Sequence, residues 1–327
     1  MLNITGNVYP VSPGSVDLVI RTSTGDVFFS STVSLDGSGE FNAGQLVYPG
    51  DEVGTYTVSV HFLGVINTTS LVIISGGYIA SELGHFFSSI CVPITIIGRN
   101  PKLVPQEESE ISSLLKMKMS ESMKILSNNE PISIKMKNGE KLVVTRDLAT
   151  GRTENIACQE ILVAAGVKPN TDLLNPEKSS VDVSSGGWIK VNEYLETSKK
   201  NIWALGDIIG RNLYRHTANY EADIVIKNAL YNEKIFVDKH AVPHAVFTHP
   251  QIGGVGLTEA KAILNHKILV GIGKYVDTAK GYAMAENDGF VKVIVDAENY
   301  KILGAHIIGP EASILVQQIV YLMNVGD

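Results

Sequence analysis

The feature that most constrains the fold is a short apolar run, a glycine turn and a helix pattern in immediate succession. Residues 71–74 (LVII) are uninterruptedly apolar, which is typical of a strand buried on both faces of a parallel sheet. The turn SGGYIA follows at residues 75–80, and apolar residues then recur at helical spacing up to Ile90. A glycine turn at a helix N-terminus offers free N–H groups and a partial positive charge. The sequence therefore predicts an α/β unit that can hold the pyrophosphate of a dinucleotide.

Within this turn, three positions carry the dinucleotide-binding fingerprint, namely Ser75, Gly77 and Ala80. Glycine lets the backbone approach the phosphates, and a small third residue lets the helix pack on the strand. Ser75 departs from the pattern, because the first position prefers the dihedral freedom of glycine. The alternative is a purely structural turn. We predict that the cofactor contacts lie at Ser75, Gly76, Gly77, Tyr78, Ile79 and Ala80.

The end of the next predicted strand, residues 94–97 (ITII), bears on the choice of cofactor. A carboxylate at this place would bind the adenosine ribose of NAD, whereas an arginine accommodates the 2′-phosphate of NADP. The strand is followed by Gly98 and Arg99, and no acidic residue occurs before Glu107. The pattern favours NADP(H) over NAD(H), with a solvated Arg99 as the alternative.

A second motif, NIWALGDIIG at residues 201–210, predicts an apolar strand that ends in Gly206 and Asp207. A carboxylate at the carboxyl end of a sheet strand stands where α/β folds bind dinucleotides. Asp207 suits the hydroxyl groups of a ribityl chain, although a simple turn is the alternative. Polar and small residues around the motif favour the binding interpretation: Thr197, His216, Ala218 and Glu221.

Residues 1–70 have a different texture. Short alternating segments such as TYTVSV at residues 55–60 are separated by turns rich in glycine, proline and aspartate. This spacing predicts a small β-sandwich. The segment loosely resembles the immunoglobulin-like repeats of prokaryotic surface proteins, and it contains no catalytic constellation.

Composition excludes several classes of protein. A net charge of −7 argues against a nucleic-acid or anionic-membrane partner, and no apolar run approaches the roughly 18–20 residues that cross a bilayer. The N-terminus does not resemble a signal peptide, so we predict a cytoplasmic protein. The two cysteines, Cys91 and Cys158, are too far apart for a local redox pair and are predicted to be buried thiols. No metal site is predicted.

From about Leu71 onward the chain resembles the pyridine nucleotide–disulfide oxidoreductases, most of all the dihydrolipoamide dehydrogenases and mercuric reductases. The matching stretches are IISGGYIASELG (73–84), ILVAAGVKPNTDLL (161–174), NIWALGDIIG (201–210), HAVFTHPQIGGVGLTEAKA (244–262), DTAKGYAMAENDGFVKVIV (277–295) and ILGAHIIGPEAS (302–313). The resemblance implies that the turn at 75–80 binds NAD(P)H and that Glu82 lies near the nicotinamide. It also implies that Gly166 belongs to a second nicotinamide-domain motif and Asp207 to the second flavin-binding motif.

The resemblance further implies the domain organisation. Residues 71–172 are expected to form a Rossmann-type NAD(P)-binding domain, and residues 173–240 the second segment of an FAD-binding domain. Residues 241–327 are expected to form an α+β dimerisation domain that makes a homodimer and has antiparallel strands near residues 245–257 and 289–309. The fold class expected for the whole chain is therefore a small all-β sandwich followed by an α/β Rossmann-type protein.

Three parts of the family pattern are not found between residues 1 and 327. These are the N-terminal glycine-rich FAD turn, the Cys-x4-Cys pair and the C-terminal His-Pro motif. In the family, electrons pass from NAD(P)H through FAD to a disulfide. We therefore expect no catalytic residue in this chain, doubtful binding of FAD by this chain alone, and either an incomplete reductase or one that needs a complementing FAD-domain chain. The alternative is a non-catalytic nucleotide-binding or scaffold protein.

Overall fold

The structure, a computed structural model, describes residues 2–7, 15–21, 27–34, 40–46, 57–62, 70–137 and 139–325. The chain divides into two compact units, Met1–Thr68 and Thr69–Asp327. No helix among these described residues is long and apolar enough to cross a membrane.

The first unit is built from β-strands over all of its described residues. These strands are β1 (Leu2–Asn7), β2 (Ser15–Arg21), β3 (Val27–Ser34), β4 (Glu40–Leu46) and β5 (Thr57–Phe62). β1 pairs with β4, and a second antiparallel sheet has the order β3-β2-β5. Apolar and polar residues alternate along β2, as the sequence predicts for a strand with one apolar face.

The second unit begins with an α/β arrangement. Its elements in chain order are β6 (Leu71–Ile74), α1 (Tyr78–Ser89), β7 (Ile94–Gly98), α2 (Ser109–Met119), β8 (Lys124–Ser127), β9 (Asn129–Lys137), β10 (Glu140–Asp147), β11 (Thr153–Cys158) and β12 (Glu160–Val163). Four of the strands form a parallel sheet in the order β12-β6-β7-β8, and β9 to β11 form an antiparallel sheet beside it. The apolar core lies between the parallel sheet and the two helices, which explains the continuous apolar runs of β6 and β7.

The sequence of residues 107–127 has a helical pattern with a charged outer face and predicts a single helix, which is too long at its C-terminal end. The helix ends at Met119, and the chain then enters β8. Ile125 of β8 pairs in register with Ile96 of β7, so parallel sheet pairing overrides the helical pattern of this segment. The prediction of two buried thiols is half wrong: Cys158 is buried, but Cys91 is exposed in the turn that follows α1.

The middle of the second unit contains little regular structure. Its elements are α3 (Thr171–Leu174), α4 (Pro176–Ser179) and α5 (Arg215–Ile226), with a 3-10 turn over Gly206–Ile209 and a π-helical turn over Lys227–Tyr231. Residues 188–191 (WIKV) also have a strand-like pattern, but this segment and the strand predicted before Gly206 are present only as isolated bridges such as Glu196↔Trp203. These segments pair only with each other, and without a neighbouring sheet they do not extend into strands.

The last part of the second unit is an antiparallel sheet covered by a helix. It contains β13 (Pro243–Val246), β14 (Ile252–Gly256), α6 (Glu259–Ala262), β15 (Ile268–Lys274), α7 (Ala279–Ala283), β16 (Phe290–Asp296), β17 (Ile302–Ile308) and α8 (Ala312–Val325). The strand order is β13-β14-β17-β16-β15. α8 lies so close to β14 that a Cβ on Gly253 would stand 2.3 Å from the Ala312 carbonyl oxygen. The strands predicted near residues 245–257 and 289–309 are confirmed, whereas β15 was not predicted.

Candidate functional site

The glycine turn joins β6 to α1 at the carboxyl end of the parallel sheet. Gly76 lies against Gly98 at the end of β7, where an added Cβ would stand 3.2 Å from the Gly76 Cα. Ser75 does not adopt a left-handed conformation, and its hydroxyl accepts a 3.1 Å hydrogen bond from the Gly77 N–H. The serine at the first fingerprint position is therefore accommodated without strain and holds the turn together.

The first turn of α1 presents free backbone donors. Gly77 is the N-cap residue with φ −91° and ψ −170°, and no side chain caps the helix. The first intrahelical bond comes from the Ser81 N–H, so the N–H groups of Tyr78, Ile79 and Ala80 have no intrahelical acceptor. A Cβ on Gly77 would meet only the Ser75 hydroxyl, at 3.6 Å, so the space in front of the helix is open. This geometry fits a pyrophosphate group.

Glu82 lies one turn further along α1. Its Oε1 accepts a 2.9 Å hydrogen bond from the Phe247 N–H, which directly follows β13. Glu82 therefore connects α1 to the antiparallel sheet. Gly166, after β12, is exposed, has φ +107° and has nothing within 4 Å of an added Cβ. A side chain there would be strained by the backbone rather than by neighbours.

Arg99 follows β7 and its side chain is 80% exposed. Its Nε lies 3.7 Å from Oε2 of Glu130, and Oε1 of Glu130 accepts a 2.5 Å hydrogen bond from Arg146. The hydrogen bond from Arg146 is the main reason that the pKa of Glu130 lies below its ordinary value, and the charges of Arg146 and Arg99 lower it further. The Glu130 carboxylate therefore lies beside the end of β7. It comes from β9, so the sequence around β7 did not indicate it.

The Gly206–Asp207 motif begins a 3-10 turn rather than ending a strand. Gly206 has φ +71°, and its N–H donates a 2.6 Å hydrogen bond to Oε2 of Glu221 in α5. Its Cα is packed so near α5 that an added Cβ would stand 3.3 Å from the Ala218 Cβ. Asp207 is exposed beside the start of this helix.

A second candidate cofactor site lies at the N-terminus of α5. No side chain caps this helix after Tyr214, and the Oγ1 atom of Thr217 is buried without a hydrogen-bond partner. A cleft of about 250 Å³ opens beside Thr217 and is lined also by Asn212, His216 and Tyr220. An uncapped helix N-terminus with an unpaired hydroxyl beside a cleft fits the polar edge of a flavin or its phosphates.

A buried polar cluster that the sequence did not reveal adjoins the glycine turn. Oε1 of Glu107 accepts a 2.5 Å hydrogen bond from the Tyr78 hydroxyl and lies 2.8 Å from Nε2 of His244. Burial by itself would raise the pKa of Glu107, but the hydrogen bond and charge of His244 hold it below the ordinary value. No local pattern could have found this cluster, because Glu107 and His244 are 137 residues apart.

A second buried cluster surrounds Lys292 of β16, whose side chain is 1% exposed. Its Nζ lies 2.9 Å from Glu108, 3.0 Å from Glu110 and 2.6 Å from Glu259. The three carboxylates are close enough to hold a metal ion, but the lysine ammonium already lies among them. Burial alone would lower the pKa of Lys292, yet the three carboxylates raise it. We therefore interpret the cluster as a structural link between α2, α6 and β16.

The fold and the turn define the class: an α/β protein of the Rossmann type with an appended antiparallel sheet and helix. The chain belongs to the pyridine nucleotide-disulphide oxidoreductase family, whose family model matches residues 49–222. The model of the family's dimerisation domain matches residues 242–326. The resemblance of the chain to this family and its expected α/β Rossmann-type fold class are confirmed.

Individual relatives agree with this assignment. The chain is 36% identical over 262 residues to a mycothione reductase of Mycobacterium tuberculosis, covering 78% of this chain and 56% of the relative. It is 31% identical over 259 residues to a dihydrolipoyl dehydrogenase of Haloferax volcanii, covering 78% and 54%. The solved structure of the HOCl-induced flavoprotein disulfide reductase RclA from Escherichia coli matches with a TM-score of 0.71 at 25% identity, covering 79% and 59%. The chain thus spans little more than half the length of these proteins.

Proposed function

We propose that this chain binds NAD(P)H at the turn of residues 75–80 and supplies the nucleotide-binding and dimerisation parts of an FAD/NAD(P)-dependent disulfide oxidoreductase. The main observation in support of the proposal is that the N-terminus of α1, which starts directly after Gly77, has no side-chain cap and faces open space. The N–H groups of Tyr78, Ile79 and Ala80 would bind the pyrophosphate. Glu82, one turn further along, would lie on the nicotinamide side.

We further propose that NADPH is preferred over NADH. Exposed Arg99 at the end of β7 is placed to contact a 2′-phosphate. Glu130 opposes this preference in part, because it lies 3.7 Å from Arg99 and could accept a ribose hydroxyl. Two arginines share that single carboxylate, so the local charge stays positive and favours the extra phosphate.

FAD is the second cofactor of the proposed function. Gly206, Asp207 and the N-terminus of α5 would hold it, since they combine an uncapped helix, an unpaired Thr217 hydroxyl and an exposed carboxylate. When bound, a flavin supplies an acceptor for the hydride of the reduced nicotinamide. We propose that the remaining flavin contacts and the thiol pair come from a complementing FAD-domain segment, because neither cysteine of this chain fits that role. Burial raises the pKa of the Cys158 thiol, so it is a poor thiolate donor.

The proposed assembly is a homodimer formed through residues 241–327. The match to the dimerisation-domain model supports this, as do large apolar side chains left exposed on α8. Both cysteines are free, which is consistent with a reducing compartment, and we propose a cytoplasmic location.

A second candidate is a protein that binds nucleotide without turnover. The exposed position of Cys91 and the burial of Cys158 favour it, because these thiols cannot act as a redox pair beside a flavin. Under this alternative the chain would bind NADPH but remain colourless and inactive.

The proposed function is tested on the purified full chain by calorimetric titration with NADPH and with NADH, together with the visible absorption spectrum. We expect binding of both nucleotides, with the tighter binding to NADPH. Added FAD that gives a stable yellow complex would favour the oxidoreductase, whereas a colourless chain that binds NADPH would favour the second candidate. Absence of binding to either nucleotide would contradict both.

A further inference from the structure

Three side chains from distant parts of the second unit meet at one buried contact. Tyr78 is the first residue of α1, Glu107 precedes α2, and His244 belongs to β13. Oε1 of Glu107 accepts a 2.5 Å hydrogen bond from the Tyr78 hydroxyl and lies 2.8 Å from Nε2 of His244. The rings of Tyr78 and His244 stack with centroids 5.9 Å apart and planes 12° apart. The contact therefore joins the glycine turn to the antiparallel sheet.

Packing alone does not explain this arrangement, because burying the Glu107 carboxylate lowers the stability of the fold. The Glu107 side chain is fully buried, and its Oε2 atom has no hydrogen-bond partner. A buried carboxylate with an unpaired oxygen lowers stability unless its other contacts compensate. An apolar residue at this position would fill the space without that cost. The contact with Tyr78 and His244 thus points to a role other than stability.

The charge states of the cluster follow from its surroundings. His244 keeps the pKa of Glu107 below its ordinary value, and burial next to Glu107 raises the pKa of the Tyr78 hydroxyl. Carboxylate and neutral phenol therefore persist around neutral pH.

Other ionisable groups lie around the cluster. Burial lowers the pKa of His306 in β17, so its ring stays neutral. Burial likewise raises the pKa of Tyr214, which stacks on His244 at 6.4 Å. His216 in α5 stacks on the far side of Tyr214 and hydrogen-bonds the Pro243 carbonyl, while Glu108 is held by Lys292.

We propose that Glu107 and His244 are positioning residues for pyridine nucleotide binding: through the Tyr78 hydroxyl they hold the first turn of α1 with its N–H groups facing the pyrophosphate. The proposal rests on the function proposed above. Tyr78 supplies one of those N–H groups, so a movement of its side chain moves an N–H group that would donate a hydrogen bond to the phosphate.

The test uses calorimetric titration of the full chain with NADPH. Glu107→Gln keeps the size and one accepting oxygen but removes the charge. We expect it to weaken NADPH binding about tenfold, the size of one hydrogen bond to a charged group. Tyr78→Phe and His244→Phe should weaken binding similarly. The double variant Glu107→Gln/His244→Phe should be no weaker than the single variants, because both changes break one connection.

A matched control exists elsewhere in the same sheet. His266 lies 2.7 Å from Asp296, a histidine–carboxylate pair away from the glycine turn. Asp296→Asn should leave the NADPH dissociation constant unchanged. Thermal unfolding of every variant is measured in parallel, since a purely structural pair would change the melting temperature without changing the NADPH dissociation constant of the folded chain.

The outcomes separate this inference from the function on which it rests. If the wild-type chain binds neither NADPH nor NADH, the proposed function is wrong and this inference is overturned with it. If the wild-type chain binds NADPH, and Glu107→Gln, Tyr78→Phe and His244→Phe bind it equally well, only this inference is wrong. Should Glu107→Gln or His244→Phe fail to fold, Tyr78→Phe decides, because it removes the hydroxyl through which both residues act. Normal NADPH binding by Tyr78→Phe overturns this inference, and weakened binding supports it.

Discussion

Gly77 has an ordinary backbone conformation, yet it stands where any side chain would enter the space for the pyrophosphate. Its Cβ position has only the Ser75 hydroxyl nearby, at 3.6 Å, so a larger residue should not disturb the fold. We predict that Gly77→Val weakens NADPH binding by at least about a hundredfold, because the branched side chain excludes the anion from the helix N–H groups. Calorimetric titration measures the effect.

The control for Gly77→Val is Gly271→Val on β15, another position with open space around its Cβ. It should bind NADPH like the wild-type chain. Equal affinity of Gly77→Val and wild type would remove the glycine turn from the proposed binding site.

Arg99 allows a second prediction at the scale of one residue. In Arg99→Glu a new carboxylate would stand beside Glu130, and together they would repel a 2′-phosphate and accept a ribose hydroxyl. We expect the ratio of NADPH to NADH affinity to fall by about tenfold or more, the size of a lost charge-assisted bond. Lys267→Glu, an exposed change just before β15, should leave the ratio as it is. An unaltered ratio in Arg99→Glu would refute the preference for NADPH.

At the scale of elements, Lys292 connects β16 to the start of α2 and to α6. Lys292→Met would leave the buried Glu108 carboxylate without its counter-charge. We predict a loss of about 3–5 kcal/mol in the free energy of unfolding, measured by urea denaturation. The control Lys267→Met removes an exposed pair with Glu298 and should cost less than about 1 kcal/mol. A cost for Lys292→Met as small as that of the control would show that the buried cluster does not join these elements.

Elements were predictable where their pattern is local. The apolar runs of β6 and β7 identify buried strands, and the spacing after Gly77 identifies α1. The end of α2 was not predictable, because Lys124–Ser127 pairs with β7 only when the parallel sheet exists. β15 was missed since it is an edge strand with two glycines and lacks a clear apolar alternation.

At the scale of the whole molecule, exposed apolar side chains favour association. On α8 these include Ile314, Tyr321 and Leu322, while Val316 and Met323 face the sheet. We predict a homodimer in sedimentation velocity, and Leu322→Asp should shift it toward monomer. Tyr300→Asp, an equally drastic change in the exposed turn between β16 and β17, should not. A single monomeric species at high concentration would contradict a dimer formed through residues 241–327.

The sequence by itself determined the α/β class, the glycine turn, the family and the apolar segments, because each of these depends on residues that are neighbours in the chain or repeat at a fixed period. Only the tertiary structure brought Glu130 to Arg99, Glu107 to His244 and Glu108 to Lys292. The last two pairs lie 137 and 184 residues apart. Such contacts depend on which strands become neighbours and how the helices cross them, and no local spacing of residues encodes that geometry.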